Sequence, residues 1–351
     1  MSATEERHDN IRLLRDSAAA IVPKADRKRI RALRFQDPGF DRAVWRAMCD
    51  LGWPALRLPE ASGGSALGMS EYCALTEELG AGLVPEPLIA CAMAAPFLTG
   101  GTLTSLLSGE RVIIPAWQER PNSLDTMGDT TVAHGRVNGR KIFGPMAAGA
   151  DAFLVAGRDG LALVDRAASG VDLVIERTQD GGNFGTVSFT DAPGTRVAGD
   201  LAAALDDAAL ATASYLLGVM DAAFAMTLDY MKTRQQFGKP IGSFQALQHR
   251  AADLKIQVAL TRASVEAAAA TLDSASNPAL RQAAVSRAKH RAADASMLVT
   301  RQCIQLHGGI GYTDEYDVGL FLRKAMLLSN LYGSAAVHRA RYAAVAPDDD
   351  E

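Results

Sequence analysis

The feature that most constrains the fold is a change of residue pattern near residues 109 and 198, which divides the 351-residue chain into three parts. From 1 to 108 apolar residues recur at spacings of three and four, as at Ile11, Leu14 and Ala18, which predicts helices. From 109 to 198 short runs rich in β-branched residues are broken by Gly, Asn and Asp, which predicts strands. From 199 to 351 the chain is Ala-rich and again helical in pattern. We therefore predict a mainly α protein with a central β domain.

Two local features stand out in the helical first part. Pro54, Pro59 and the pair Gly63-Gly64 predict a loop, after which Ser70 is the predicted N-cap of the next helix. Residues 27–34 carry five basic side chains, which can attract a phosphate-bearing partner. Because acidic residues flank this run and the net charge is −4, we favour a solvated helix face.

The strand runs of residues 109–198 predict a small antiparallel β barrel or sandwich. Asn138-Gly139 is a pair that readily adopts positive φ in a tight hairpin turn. Asp159-Gly160 is a second signal of the same kind. Both predict hairpins between neighbouring strands.

Residues 199–351 predict a four-helix bundle. Breaks at Lys239-Pro240, at Asn277-Pro278 and at the glycines near 308–311 separate four helices, near 203–236, 243–274, 278–306 and 317–345. Long helices joined by short loops bury their apolar stripes most simply by packing antiparallel.

Composition excludes several classes of function. Charged residues make up 22% of the chain and hydrophobic residues 48%, so a surface that coats nucleic acid does not fit. The four cysteines show no CxxC pair and the six histidines show no ligand spacing, so we predict core thiols, capped or surface imidazoles and no metal site. The start of the chain has no apolar leader pattern, and four Asp residues interrupt the apolar stretch 201–231. We expect a cytoplasmic protein that is not inserted in a membrane.

Familiar motifs for dinucleotide, P-loop, serine hydrolase and zinc protease sites are missing. What remains is the run 232–249, in which a Gly/Pro turn between two helices carries Arg234, Phe237 and Gln245. A guanidinium, an aromatic ring and an amide can together hold a pyrophosphate and a flat ring. In a second run, 304–313, Gly308 and Gly309 let the backbone lie close to a ligand. The alternatives are a helix hairpin that faces water and a flexible helix connection.

These motifs, in order along nearly the whole chain, resemble the acyl-CoA dehydrogenase family. The resembling runs are LGWPALRLPEASGG with TEELG, HGRVNGRKIFGPMAAGADAFLVAGR, RQQFGKPIGSFQ and QLHGGIGYT. The resemblance implies a flavoprotein that desaturates an acyl-CoA thioester, with FAD between the β domain and the bundle, dimer or tetramer contacts, and electron-transfer flavoprotein or a similar acceptor. It also implies that Trp117, Gln118 and Glu119 occupy a loop beside the flavin. The residues implied to contact FAD are Arg234, Phe237 and Gln245, from a neighbouring subunit, and Gln305, Gly308 and Gly309, at the adenine end.

The chain departs from the family at the catalytic base. The glutamate that usually precedes a Gly-Thr or Gly-Ser pair is replaced by Tyr332, ahead of Gly333-Ser334. A phenol with a pKa near 10 is a poor base at neutral pH. The other family position for the glutamate, on the first bundle helix, falls on Ala208, beside Asp207. Asp207 is the remaining candidate for the base in this chain.

Three hypotheses follow from these departures. In the first, the chain is a subunit of an acyl-CoA dehydrogenase that relies on a partner chain for the base, with room for a bulky substrate such as a steroid side-chain thioester. In the second, a homomeric flavoenzyme uses Asp207 or carries out another elimination. In the third, the chain is an acyl-CoA-binding scaffold without catalysis.

Overall fold

The computed structural model describes residues 3–22 and 26–345. These residues form two compact units, each built from separate stretches of the chain. One unit contains the chain up to Arg27, Met69–Val84 and the chain from Ala209 onward; the other contains Lys28–Gly68 and Pro85–Ala208. The division at residues 108 and 198 follows residue pattern rather than compactness, and it stays a prediction.

The helices before the strands are short, apart from the first. They are α1 (Ala3–Ile21), α2 (Lys28–Leu33), α3 (Arg42–Asp50), α4 (Met69–Gly82), α5 (Leu88–Ala94) and α6 (Gly100–Leu107). Helix α4 does not begin with Ser70 as its N-cap. Instead, the carboxylate of Asp273 accepts hydrogen bonds from the backbone N–H groups of Met69 and Ser70 and from the Ser70 hydroxyl. A side chain distant in sequence therefore caps this helix.

The expectation of a solvated basic face was wrong for two of its residues. Arg27 is only 4% exposed, donates to Ala81 O at 2.9 Å and lies over the Phe321 ring at 5.3 Å. In the other unit, Arg29 forms an ion pair with Glu86, whose side chain is fully buried. Partners distant in sequence thus bury Arg27 and hold Arg29, whose side chain stays 25% exposed.

The central strands form two four-stranded sheets in the second unit. One sheet has the order β1-β4-β5-β8 and the other β2-β3-β7-β6. Phe153 of β4 packs edge-on against Phe189 of β7, with ring centroids 6.4 Å apart, so the two sheets share a core. The strands are β1 (Ile113–Ala116), β2 (Thr131–Ala133), β3 (Arg136–Pro145), β4 (Ala152–Gly157), β5 (Gly160–Asp165), β6 (Val171–Arg177), β7 (Asn183–Pro193) and β8 (Thr195–Val197).

The prediction of a central β region is confirmed, but three of its details change. The sheets of the described residues do not close into a barrel, and β1 pairs with β4 in parallel. This parallel pair is possible because the chain passes through β2 and β3 of the other sheet before it returns as β4. The hairpin at Asn138-Gly139 was also wrong. The turn lies at His134-Gly135, both with positive φ, whereas Gly139 lies at an irregularity inside β3. The second predicted hairpin, Gly157 paired with Gly160, is confirmed.

Long helices dominate the C-terminal part, as the sequence predicts. They are α7 (Leu201–Thr233), α8 (Gln245–Ser274), α9 (Pro278–His307), α10 (Val318–Leu328) and α11 (Ala335–Val345), with a two-residue-strand hairpin of β9 (Gln235–Gln236) and β10 (Lys239–Pro240) before α8. The fourth predicted helix, 317–345, is two helices. Tyr332 and Gly333 have φ of 56° and 100°, which no α-helix tolerates. The described part of this region, up to residue 345, therefore forms five α-helices rather than four.

Helices α4 and α7 approach closely through glycines. A Cβ added at Gly80 would overlap Tyr215 O, and one added at Gly218 would overlap Glu77 O.

Helix α7 is the one helix of the described residues that is long and apolar enough to cross a bilayer. However, 78% of its most apolar window is buried inside the protein, as in the core helix of a folded domain. All four cysteines are buried free thiols, as predicted.

Candidate cofactor site

The hairpin between α7 and α8 presents an aromatic side chain to the surface. Phe237 and Gly238 form its two-residue turn, with φ of 53° and 77°, and Lys239 pairs with Gln236. The hairpin is closed by a hydrogen bond from Ile241 N to Arg234 O at 2.8 Å. Phe237 is 92% exposed. Positive φ is sterically unfavourable for a bulky residue, and exposing an aromatic ring to water is also unfavourable. The combination indicates a surface that binds a ligand or a partner.

Polar groups surround this aromatic tip. The side chains of Arg234 and Gln245 are exposed, and Arg234 has no side-chain hydrogen bond or ion pair within the described residues. Phe244 lies edge-on to Phe237, with ring centroids 6.1 Å apart, and the Lys239 ammonium lies 4.4 Å from the Phe244 centroid. The free guanidinium of Arg234, the ring of Phe237 and the amide of Gln245 are thus all accessible.

The second predicted set lies where α9 ends. Gly308 has φ 65° and ψ −143°, a conformation that suits glycine alone, and it stops the helix after His307. A Cβ added at Gly308 or Gly309 would meet nothing within 4 Å, so the backbone here is open to a neighbour. Gln305 is exposed and lines a groove of about 570 Å³ between α8 and α9. The other groove-lining residues are Arg250, Asp253, Leu254, Gln257, Leu298 and Gln302.

The fold brings these two sets to one end of a helix pair. Helices α8 and α9 are joined by a short connection and pack antiparallel, so the first turn of α8 and the last turn of α9 lie together. Gln245 starts α8, and Arg250, five residues or about 7.5 Å further along the axis, shares the groove with Gln305. No local sequence signal predicts this juxtaposition, which follows from the antiparallel topology.

His307 is buried, whereas the sequence predicted a capped or surface imidazole. It is 3% exposed and is stacked on Tyr230 at 4.5 Å, with Tyr316 at 4.8 Å on another side. Its Nδ1 donates to Cys303 O at 2.7 Å, whereas Nε2 is buried without a partner. Burial lowers the pKa of His307, so the neutral ring is favoured. This stack fixes the backbone that leads into Gly308. His338, 0% exposed, is likewise not a surface imidazole.

The three positions considered for the base differ in their surroundings. The carboxylate of Asp207 accepts a hydrogen bond from the guanidinium of Arg57, and the two side chains are 24% and 29% exposed. Ala208, the next residue, is buried and has no proton-accepting group. Tyr332, in the other unit, is 3% exposed and lies in the loop between α10 and α11. Asp207 lies one residue away from the family position, and its carboxylate is paired there with Arg57.

The loop after β1 is held by a buried ion pair. The Lys141 ammonium, 1% exposed, donates to a Glu119 carboxylate oxygen at 2.6 Å and to Trp117 O at 3.2 Å. The same carboxylate accepts from Thr130 N at 2.9 Å and from Asp129 N. Although partial burial opposes ionisation, the hydrogen bonds from Asp129, Lys141 and Thr130 lower the pKa of Glu119 to about 2. Trp117 is buried, so in this unit Glu119 and Trp117 serve to close the loop.

Over residues 3–22 and 26–345, no three acidic, histidine or cysteine side chains lie close enough to hold a metal ion.

Comparison with known proteins agrees with this architecture. The sequence profile of the acyl-CoA dehydrogenase N-terminal domain matches residues 8–103, and that of the acyl-CoA dehydrogenase C-terminal domain matches residues 198–346. The chain belongs to the acyl-CoA dehydrogenase family. Acyl-CoA dehydrogenase IpdE2 of Mycolicibacterium smegmatis is 33% identical over 92% of this chain and 94% of its own length. Acyl-CoA dehydrogenase FadE27 of Mycobacterium tuberculosis is 32% identical over 84% of this chain and 86% of its own.

Two solved structures extend the comparison over nearly the whole chain. A variant of the Tcur3481-Tcur3483 steroid ACAD has a TM-score of 0.87 and 28% identity and covers 98% of both chains. The ChsE4-ChsE5 complex from Mycobacterium tuberculosis has a TM-score of 0.85 and 27% identity and covers 98% of this chain and 97% of that one. Membership of the acyl-CoA dehydrogenase family makes the protein an oxidoreductase that acts on acyl-CoA, in a family whose cofactor is FAD.

Proposed function

We propose that this acyl-CoA dehydrogenase catalyses FAD-dependent α,β-dehydrogenation of an acyl-CoA thioester as one subunit of an oligomer, in which a partner chain supplies the catalytic base. The proposal rests on the residues that occupy the positions of the catalytic base, none of which is an available carboxylate. A phenol stands at Tyr332, a methyl group at Ala208, and the neighbouring carboxylate of Asp207 is engaged by Arg57.

The hairpin and the end of α9 fit an FAD from a neighbouring subunit. Arg234 offers a free guanidinium fork for a pyrophosphate, Phe237 a bare aromatic face for a flat ring, and Gln245 an amide for a polar edge. Gly308 and Gly309 leave the backbone open, so its N–H groups can approach the adenine end, where Gln305 adds a further amide. When bound, the flavin supplies the hydride acceptor for the reaction.

The residues of this chain meet only part of the chemical requirement. Removal of the proton next to the thioester carbonyl needs a base whose pKa lies near the working pH. Tyr332 is a phenol, with an ordinary pKa near 10, and its side chain is buried. The carboxylate of Asp207 already accepts a hydrogen bond from Arg57. A carboxylate from a partner chain meets the requirement without disturbing either residue.

Relatives support both the oligomer and the class of substrate. The ChsE4-ChsE5 structure is that of a complex, and the Tcur3481-Tcur3483 structure is that of a steroid ACAD. We propose a bulky acyl group, such as a steroid side chain, since an assembly that gives up one of two active sites leaves more room for the substrate in the other.

Co-expression with a homologous chain encoded beside it tests the proposal. The purified complex should contain both chains, carry FAD and oxidise an acyl-CoA in the presence of an electron-accepting dye, whereas this chain alone should have no more than about 1% of that rate. Full activity from this chain alone would reject the need for a partner. A complex without flavin absorbance, and without flavin after reconstitution, would favour the non-catalytic scaffold.

A second candidate is a homomeric enzyme that uses Asp207 or eliminates another leaving group. A 131-residue region, 37% of the chain, is 37% identical to 3-sulfinopropanoyl-CoA desulfinase of Paraburkholderia xenovorans, which supports elimination as the alternative reaction. The contact between Arg57 and Asp207 counts against that carboxylate as the base.

A further inference from the structure

The loop that interrupts the predicted fourth helix is built around two buried side chains. Helix α10 ends at Leu328 and α11 begins at Ala335, so residues 329–334 form the link. The Lys289 ammonium, from α9, donates to Leu328 O at 3.1 Å, Ser329 O at 3.1 Å and Gly333 O at 2.9 Å. An ammonium has three hydrogens, and all three have acceptors here.

His338, on α11, holds the same loop from the other side. Its Nε2 lies 2.8 Å from Tyr332 O, so this nitrogen carries the proton and donates it. Its Nδ1 lies 3.3 Å from the Ser286 hydroxyl of α9, and a ring protonated at Nε2 accepts there. Four carbonyl groups within six residues are thus bound by two side chains, both 0% exposed.

Ending a helix does not require two buried ionisable side chains. A glycine and solvent water are enough to end a helix. Here the chain buries an amine and an imidazole, and it holds Tyr332, a bulky residue, at φ 56°. Burial of ionisable groups is unfavourable, and an apolar core of similar volume often gives equal or greater stability. Stability alone therefore does not account for the pair.

What the pair holds is the segment Tyr332-Gly333-Ser334, which stands where the family carries its base before a Gly-Ser or Gly-Thr pair. We propose that Lys289 and His338 are positioning residues that hold the loop 329–334 in the geometry required by the acyl-CoA site, although the residue at the base position is now tyrosine. This inference rests on the proposed function, because the site it refers to is the dehydrogenation site.

Lys289→Met tests the role in the oligomer that carries FAD, because it keeps the length of the side chain and removes its three donors. We expect hydrogen exchange of the amides of 329–334 to rise at least tenfold, and kcat/KM to fall at least tenfold with flavin content unchanged. The probes are octanoyl-CoA and a steroid-acid CoA thioester. The matched control is Thr300→Val on the same helix, since the Thr300 hydroxyl donates only to Ser296 O within α9. For Thr300→Val both quantities should stay within twofold.

A purely structural role predicts a different result. If Lys289→Met lowers the thermal stability of the oligomer but leaves kcat and KM for both thioesters within twofold, the positioning role is overturned. Should Lys289→Met fail to fold, His338→Gln provides the same readouts, because it weakens the hold on Tyr332 O without unpairing a charge. Failure of the proposed function itself looks different: the wild-type oligomer would then lack flavin or turnover, while hydrogen exchange would still report whether these two side chains hold the loop.

Discussion

The guanidinium of Arg57 donates to the carboxylate of Asp207 inside one unit of the protein, so the one acidic side chain beside a family base position already has a cationic partner. While this contact lasts, the guanidinium occupies Asp207 Oδ2, so that oxygen is not open to a proton from substrate. We therefore expect Asp207→Asn to keep the activity of the oligomer within about threefold, measured as kcat with an electron-accepting dye.

The homomeric alternative predicts the opposite result for the same variant. If Asp207 is the base, Asp207→Asn should lower kcat by about 10²-fold or more while FAD stays bound. Arg57→Met is the matched control, because it frees the carboxylate without removing it. A large loss of kcat in Asp207→Asn together with retained activity in Arg57→Met would assign the base to this chain.

Phe237→Ala tests the hairpin as a contact across a subunit boundary. Since the side chain is 92% exposed, its removal should change the free energy of unfolding of the isolated chain by less than about 0.5 kcal/mol. In the oligomer the Kd for FAD should rise at least tenfold, as followed by flavin fluorescence. Leu13→Ala on α1 is the control, because Leu13 is also largely exposed, at 60%, and lies far from the motif in sequence. Equal FAD affinities for the two variants would count against the hairpin as a cofactor contact.

Much of this architecture follows from local sequence signals. The start of α9 is well predicted because Asn277 caps it, with its Oδ1 accepting from Ala279 N at 2.9 Å, and Pro278 occupies the first turn. The break at residues 329–334 was missed because Lys289 and His338 bind its carbonyls. Lys289 is distant in sequence, and His338 reaches the loop only through tertiary packing. A local signal cannot report such partners.

The same limit applies to the candidate site. The exposed tip at Phe237-Gly238 and the helix stop at Gly308 follow from short motifs. Burial of His307, in contrast, depends on Tyr230 of α7 and Tyr316 of the segment before α10, and spacing gives no sign of either contact. The roles of Arg234, Phe237, Gln245, Gln305, Gly308 and Gly309 in FAD binding stay predictions, because they concern a neighbouring subunit.

Gly218→Ala tests the close approach of α4 and α7. A methyl group at this position would overlap Glu77 O, so the two helices must separate, and we expect a loss of about 1–3 kcal/mol in the free energy of unfolding. The control is Gly101→Ala near the start of α6, where an added Cβ meets nothing within 4 Å. This control should be neutral or stabilising by up to about 1 kcal/mol. Urea denaturation of both variants measures the difference, and similar midpoints would contradict the packing.

Glu119→Gln tests the ion pair that closes the loop after β1. The substitution leaves the Lys141 ammonium, 1% exposed, without a carboxylate, so we expect a loss of about 3 kcal/mol or more. Removing both charges with Glu119→Gln and Lys141→Met should restore part of that loss, because the unpaired buried charge is gone. A double-mutant cycle in urea measures the coupling between the two residues. Additive effects of the two substitutions would show that the pair contributes no coupling.

His338 gives the protein a specific sensitivity to acid. Burial and the nearby ammonium of Lys289 lower the pKa of His338 to about 3, from an ordinary value near 6.5. Between these two values the unfolded chain binds a proton that the folded chain does not, so the free energy of unfolding falls as pH drops from about 6.5 towards 3. The full loss is on the order of 5 kcal/mol. Urea denaturation between pH 7 and 4 should show this slope, and His338→Gln should have a shallower one even if it is less stable at pH 7. An equal slope in both proteins would mean that other groups cause the acid sensitivity.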